Sequence, residues 1–406
     1  MKTLVINSGS SSIKYSLFDV NTQAEIISGI IDKIGNIDSS HKFTINETYY
    51  TAGKTSTSST KAQIPGHKQG LEIIFSCLLS SKLITDSSEL FCIGHRVVHG
   101  GEKFRHPVII NQQVIKEIKN LEPLAPLHNP ANLLGIEESV KTFGEIPQVA
   151  VFDTAFHQTI PEHVYHYALP KTWYEKNAIR RYGFHGTSHN YVARQAAEQL
   201  NRPLQSLNLI TLHLGNGASM TAIKKGLSID TSMGMTPLEG LMMGTRCGDI
   251  DPAIAFYAAK SNNLSDNEIQ ITLNKKSGLK GICGESDMRG VHKLADQGDL
   301  NAQLALNMYV YRIKKYLGAY YAILGHVDAI IFTGGIGEND AWIREQCCEN
   351  LDALGIAVNK EKNTSVNTKI CDISSDDQSV STLVIKTNEE LEIALQSVSL
   401  IKNVST

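Results

Sequence analysis

A short apolar strand that runs into a loop of glycine and serine and straight out into a second strand occurs twice in this chain, about 200 residues apart. The first copy is Thr3 to Ile6, the turn NSGSSS, and Ile13 to Val20, where Ile13, Tyr15 and Leu17 alternate with Lys14, Ser16 and Phe18. The second is Leu209 to Leu214, the turn GNGAS, and Met220 to Lys224, with Gly226 closing a further hairpin toward Leu227-Ser228-Ile229. Period-two alternation across a tight small-residue loop is a hairpin signal. Two copies at equivalent points predict an internal duplication, a twin-domain chain and not a solenoid. Helical patterns fill the space between: Val114 to Asn120, Asn129 through Val140, and Ser188 to Leu200. Further strands are predicted at Leu90 to Ile93, Gln148 to Phe152 and Ala329 to Thr333. The fold class is therefore α/β.

The composition suits such a fold. Of 406 residues, 42% are hydrophobic and 19% charged, with a net charge of −3; this is a globular chain of two or three domains. The balance gives no general electrostatic reason to bind nucleic acid or an acidic membrane. The apolar runs near Ile73 to Leu79 and Ala329 to Phe332 are too short to cross a bilayer. Leu4-Val5-Ile6 is too short for a secretory signal. Seven cysteines without a C-x-x-C pair support neither a disulfide framework nor a zinc ribbon, so a reduced cytoplasmic compartment is expected. Residues 35–67 are rich in Ser and Thr, with TAGKTSTSST at 51–60, and read as an exposed excursion with a hairpin through Lys42 to Tyr50. The GKT in it is no P-loop, because the glycine required five residues before Gly53 is Thr48.

Three loops suit an anion. NSGSSSIK offers backbone N–H groups from Ser8 to Ser12 with Lys14 beyond, although for this loop alone a plain hairpin turn with an exposed lysine is the preferred reading. HLGNGAS, His213 to Ser219, places two glycines around Asn216 after a strand. IIFTGGIGEN runs a strand into Gly334-Gly335-x-Gly337, with a helix predicted after Asn339; a helix N-terminus favours anions. It is not a dinucleotide fingerprint, since position 340 is Asp.

Candidate chemistry sits on other segments. Arg96, in HRVVHGG, ends a strand and suits a carboxylate held by two parallel hydrogen bonds, or is a surface arginine. Asp153, in VAVFDTAFH, lies at a strand's carboxyl end, where α/β sheets bind ligands, or caps the next helix. His185 and His189, in RRYGFHGTSH, stand at helical spacing without a third ligand, which makes zinc improbable. Arg246 lies between Gly244 and Gly248, with Asp249 and Asp251 as loop caps. Asp287 and Arg289 are either a solvated charge cluster or the edge of a nucleotide pocket. Glu389 and Glu390 open a helix capped by Thr387 or Asn388.

Taken together, NSGSSSIK, HRVVHGG, FDTAFH, YGFHGTSH, HLGNGAS, DTSMGMTPLEGLMMGTRCGDIDP, GGIGEN and TNEE resemble the acetate kinase family, in that family's order and over nearly the whole chain. The resemblance implies duplicated ribonuclease H-like domains of the actin-like ATPase superfold, with a nucleotide cleft between them. It places an N-terminal domain at 1–154 plus 390–406 and a nucleotide-binding domain at 155–389. It implies a homodimer, with acetate and ATP as substrates and no nucleic-acid or membrane partner.

By the same resemblance, Asp153, His185 and Arg246 are catalytic. Arg96 binds the substrate carboxylate, and Val98, Leu127, Phe184 and Pro237 form the methyl pocket. ATP contacts fall to Lys14, to His213, Leu214, Gly215, Asn216 and Gly217, to Asp287, Met288 and Arg289, and to Gly335, Ile336, Gly337, Glu338 and Asn339. Asn7 and Glu389 support Mg²⁺, with Mn²⁺ as an alternative. The implied reaction is Mg-dependent in-line transfer from ATP to acetate, giving acetyl phosphate and ADP, with a propionate or other short-chain acyl kinase as the alternative. A non-catalytic ATP-binding switch explains the glycine loops but not Arg96, Asp153, His185 and Arg246.

Overall fold

A computed structural model of the chain describes residues 1–49, 56–61 and 63–405. The GKT of the Ser/Thr-rich stretch and the Tyr50 end of the hairpin expected there lie outside the described residues. The chain divides into two compact units, Met1–Ala155 with Asn388–Thr406, and Phe156–Thr387.

The first unit is built on eight strands: β1 (Lys2–Ser8), β2 (Ser12–Asp19), β3 (Ala24–Asp32), β4 (Ser40–Ile45), β5 (Ser56–Lys61), β6 (Leu90–Val97), β7 (Val108–Ile109) and β8 (Gln148–Phe152). They lie in the order β5-β4-β3-β2-β1-β6-β8-β7. β1 to β5 form an antiparallel meander, while β1, β6 and β8 run parallel. Every residue of QVAVF is buried, as a strand covered on both faces requires. Leu71, Ile74 and Leu78 of the helix His67–Ser80 pack on Leu4, Ile6, Ile13 and Leu17 of one sheet face. Burying each such side chain stabilises the fold by about 1.5–3 kcal/mol. Gly94 of β6 faces the helix Glu389–Ser405, and a Cβ there would lie 2.7 Å from both Ile393 Cγ2 and Ser397 Oγ. That close approach holds the start of the last helix against β6.

The Ser/Thr-rich stretch departs from the expected excursion. Its two described strands, β4 and β5, pair in register from Ser40↔Lys61 to Ile45↔Ser56 and extend the sheet to its edge. Only backbone pairing defines β5, since STSSTK has no apolar alternation to announce it.

The second unit repeats the plan with β9 (Asn208–Leu214), β10 (Ala218–Lys224), β11 (Leu227–Thr231), β12 (Ala329–Thr333), β13 (Ile370–Asp372) and β14 (Ser381–Ile385), in the order β11-β10-β9-β12-β14-β13. β9 occupies the place of β1: a hairpin strand on one side, and the parallel strands β12 and β14 on the other. This shared five-strand pattern is the duplication anticipated from the two Gly/Ser hairpins, and its strand order in each unit is the ribonuclease H-like one expected. The glycine run after β12 departs from expectation. Gly334–Asn339 is already helical, and a second helix, Ala341–Cys348, follows it. Glu338 Oε1 accepts from the Gly334 N–H at 3.0 Å, which helps a glycine-rich turn hold helical geometry. No helix among the described residues is long and apolar enough to cross a membrane.

Candidate active site

In the first unit the parallel strands deliver their ends to one region of the sheet. Arg96 on β6 and Asp153, just past β8, are next-door neighbours there. Arg96 donates from Nε to Asp153 Oδ1 at 3.1 Å and from Nη2 to Oδ2 at 2.5 Å. The expected two-point grip on a carboxylate is thus present, and the carboxylate it holds is the protein's own. Asp153 is 1% exposed and Arg96 24%. Burial works against the guanidinium's charge, but Asp153, Glu389 and Glu390 outweigh it and hold its pKa above the ordinary value. Glu389, half-buried at the head of the last helix, is pushed well above the carboxylate range by burial first, with Asp153 and Glu390 adding to the rise and Arg96 and Lys14 opposing it. Asn388 Oδ1 caps that helix by accepting from the Leu391 N–H at 2.9 Å.

The Gly/Ser loop of this unit is held from behind. Asn132 Nδ2 donates to Ser8 O at 2.7 Å, and its Oδ1 accepts from the Val98 N–H at 3.0 Å. One buried amide therefore ties the loop after β1 to the segment bearing Val98. Gly135 allows this approach, since a Cβ there would lie 2.1 Å from Ser8 Oγ. Asn7 pairs with Lys14 across the hairpin, and Lys14 is exposed. Val98 is buried, whereas the Leu127 side chain is 68% exposed.

The second unit contains a pocket of about 1010 Å³. Its lining includes Gly215, Asn216, Asp287, Met288, Arg289, Gly335, Ile336 and Asn339, so residues from three separately expected motifs meet in one place. His213, Leu214, Gly217, Gly337 and Glu338 are not in its lining. Glu338 is a fastener instead, its Oε1 also accepting from the Thr387 N–H at 3.0 Å. Asp287 caps the helix Met288–Asp296 and pairs with the exposed Arg289.

Sequence reasoning missed the far wall of this pocket: Ser286, His292, Asp296, Asp340, Ala341 and Trp342. His292 Nε2 lies 2.8 Å from Asp340 Oδ2, which raises the imidazole pKa, and its ring stands edge-on to Trp342 at 5.3 Å. Asp340 was readable as the cap of the helix after GGIGEN; its Oδ1 accepts from the Ile343 N–H. Arg344 was also missed. Only 1% exposed, it donates from Nη1 to the carbonyls of Gly337 and Glu338, both at 3.0 Å, and from Nε and Nη2 to Asn363. It clamps the end of the glycine-rich helix through carbonyls that the helix leaves unpaired.

His185 and Arg246 converge beside this pocket. A Cβ on Gly217 would lie 3.4 Å from Arg246 Nη1 and 3.6 Å from His185 Cε1 and Nε2. Both side chains therefore lie against the residue that follows Gly215 and Asn216. His185 has left-handed backbone (φ 56°) at the N-cap of the helix Gly186–Gln199, and the His213 ring stacks on it at 4.3 Å. Arg246 Nη1 donates to the Pro237 carbonyl at 3.0 Å, and burial lowers the guanidinium pKa. The loop carrying Arg246 is closed at its base. Asp249 Oδ1 accepts from the Gly240 N–H at 2.8 Å, the Asp249 N–H donates to Gly240 O, and Tyr316 donates to Asp249 Oδ2. Asp249 is thus the loop cap its sequence position suggested. Phe184 is buried, and its carbonyl accepts from His157 Nε2 at 2.9 Å.

The sequence model of the Acetokinase family matches residues 2–395. The chain is 53% identical over 406 residues to an acetate kinase of a Sulfurovum species, covering 100% of both chains. It is 49% identical over 405 residues to that of Lawsonia intracellularis, covering 99% of this chain and 100% of the relative. Among solved structures it is similar to acetate kinase from Porphyromonas gingivalis, at 43% identity and a TM-score of 0.92, covering 98% of this chain and 99% of the other. It is also similar to a propionate kinase from Francisella tularensis, at 42% identity and a TM-score of 0.89, covering 97% and 98%.

Proposed function

This chain belongs to the acetokinase family, kinases that transfer a phosphoryl group to a carboxylate, and we propose that residues of its two units divide that reaction between acceptor and donor. The reaction is ATP + acetate ⇌ ADP + acetyl phosphate. The second unit holds the nucleotide in the pocket walled by Gly215, Asn216, Asp287, Arg289, Gly335 and Asn339. The first unit presents Arg96 and Asp153 to the acceptor. One observation carries the reading: His185 and Arg246 meet against Gly217, next in sequence to two residues of the pocket wall. That is where a nucleotide's transferring phosphoryl group needs donors and positive charge.

Acetate is ionised at neutral pH, so its attacking oxygen needs no base. Asp153 then orients Arg96, an assignment supported by its two-point bond to that guanidinium. The remaining barrier is repulsion between the acetate carboxylate and the phosphoryl oxygens. Arg96, Arg246 and His185 offset it, and alignment of the reactants supplies much of the rest. Contact with the methyl group is assigned to Val98, Leu127, Phe184 and Pro237.

Mg²⁺, with Mn²⁺ as an alternative, fits the donor set. The Asn7 amide and Glu389 carboxylate are hard oxygen ligands, and a dication offsets the burial and the neighbouring carboxylates that raise Glu389. When bound with ATP, the ion supplies neutralisation of phosphate charge. The homodimer is supported by the helix Ala253–Asn262, which buries no residue and exposes Ile254, Phe256 (78%) and Tyr257 (76%). A cytoplasmic location is supported by seven cysteines that are all free thiols.

The test is hydroxamate detection of acyl phosphate from acetate, propionate and butyrate, with Mg²⁺ or with chelator. Mg²⁺-dependent acyl phosphate formed best from acetate is expected. Greater yield from propionate selects the longer-chain alternative, and ATP turnover indifferent to any carboxylate overturns the proposal.

A further inference from the structure

Behind the His185–Arg246 corner, His185 is joined through Ser219 to His189 and Thr211, three buried residues that phosphoryl transfer as described above does not use. His185 Nδ1 lies 2.8 Å from Ser219 Oγ. The same Ser219 Oγ lies 2.8 Å from His189 Nε2, and His189 Nδ1 lies 2.7 Å from Thr211 Oγ1. The helical spacing of His185 and His189 therefore serves a shared serine. Ser219, His189 and Thr211 are wholly buried. Among the described residues, the side chains of Ser219 and Thr211 have no hydrogen-bond partners beyond these.

Proton counting gives the chain a direction. Burial, with His157 and His213 close by, keeps His189 neutral, so its ring carries one N–H and one lone pair. Suppose first that His185 Nδ1 bears a proton. It donates to Ser219, Ser219 donates to His189 Nε2, and His189 donates from Nδ1 to Thr211. The Thr211 hydroxyl hydrogen is then buried without an acceptor. In the reverse order Thr211 donates to His189 Nδ1, His189 Nε2–H donates to Ser219, and Ser219 donates to His185 Nδ1. Every hydrogen within these three links now has an acceptor, and the His185 Nε2–H lies at the chain's outer, partly exposed end. A buried hydroxyl left unpaired disfavours the first arrangement by about 5- to 150-fold.

We propose that Thr211, His189 and Ser219 form a one-way chain in which Ser219 is a positioning residue, holding His185 as the Nε2–H tautomer. His185 thereby offers a donor, and not a lone pair, from its outer nitrogen. Its direct use on the transferring phosphoryl group rests on the kinase reading given above. The neighbouring His157 follows the same logic independently. Its Nε2 faces the Phe184 carbonyl, which only accepts, so Nε2 carries the hydrogen and Nδ1 accepts from Ser228 Oγ at 2.9 Å. His157 and His189, whose rings meet edge-on at 5.7 Å, thus both carry the proton on Nε2, as His185 does.

The test uses full-length protein labelled with ¹⁵N-histidine, with His185→Gln serving only to assign the resonance. In the wild type at neutral pH, His185 and His189 should both show a protonated Nε2 and an unprotonated Nδ1. A protonated Nδ1 on His185, alone or in a doubly protonated ring, overturns the assignment. Ser219→Ala should lower kcat by about 10-fold or more through misorientation of the ring, with both substrate KM values within about twofold. Thr211→Val keeps the side-chain shape but removes the polarising hydroxyl, so His185 should gain partial Nδ1 protonation and kcat should fall several-fold, while Thr211→Ser should match the wild type. Folded Ser219→Ala and Thr211→Val proteins with unchanged kcat and unchanged His185 resonances sink the positioning role. A wild type with the expected tautomers but no carboxylate-dependent turnover would instead overturn the kinase reading and leave the chain intact.

Discussion

Removing Arg96 should destabilise the first unit before any question of catalysis arises. Arg96→Gln takes the guanidinium from a carboxylate that is 1% exposed. Breaking a buried pair from one side costs about 3–5 kcal/mol, because the remaining charge keeps its desolvation without its counter-charge. Arg96 is 24% exposed, so water recovers part of this, and about 2–4 kcal/mol is the expected loss. The same guanidinium also faces Glu389 and Glu390, which adds to the penalty. Asp153→Asn should cost less, about 1–2 kcal/mol, since the arginine keeps those two carboxylates and some water. The double variant should be no less stable than Arg96→Gln alone, a coupling of at least about 1 kcal/mol. Urea unfolding followed by far-UV circular dichroism is the assay. Tryptophan fluorescence would be blind to this unit, because Trp173 and Trp342 both belong to the other. Acetate kcat/KM should fall in all three variants, separating the role in stability from the role in turnover. An Arg96→Gln protein as stable as the wild type, or single effects that simply add in the double variant, would refute the reasoning.

Arg246→Ala should lower kcat by about 10³-fold or more while acetate KM changes far less; a raised KM at unchanged kcat would limit Arg246 to ground-state binding. Val98→Ala should raise the propionate-to-acetate activity ratio modestly, since one methylene in an apolar pocket is worth only about 1–3 kcal/mol, and an unchanged ratio would remove Val98 from the acyl pocket. Burial pushes His157 down to about 4 from an unfolded value of 6.5. The unfolded chain therefore binds the extra proton first, and the His157 contribution is complete above pH 6.5 and lost as pH falls toward 4, by about 3 kcal/mol. His157→Asn should lack that loss, so its stability gap from the wild type should narrow between pH 7.5 and pH 4.5 in urea titrations. Parallel pH profiles for the two proteins would count against a neutral buried imidazole.

Much of the plan is legible along the chain because periodicity is a local property. QVAVF and AIIFT announce strands buried on both faces, and the two Gly/Ser hairpins announce the duplication. The glycine-rich and strand-end motifs mark most of the candidate site, since close backbone approach and left-handed turns need particular residues. The edge strand STSSTK escapes such reading, because polar residues on both faces leave no period to detect and only backbone pairing with β4 defines it. GGIGEN escapes it too: glycine opposes helix by propensity, and the fastening by Glu338 and Arg344 overrides that preference from outside the segment's own pattern. The far wall of the pocket, His292 and Trp342, comes from segments with no anion-loop signature. What only the tertiary structure decided is which polar atoms meet. Arg96 finds Asp153 because β6 and β8 are neighbours in the sheet, and His185 finds Thr211 through two intermediates because β9 and β10 pair in one register. A hydrogen bond's partner, and the proton's place within it, depend on atoms brought together by chain segments far apart in sequence, which no local pattern specifies.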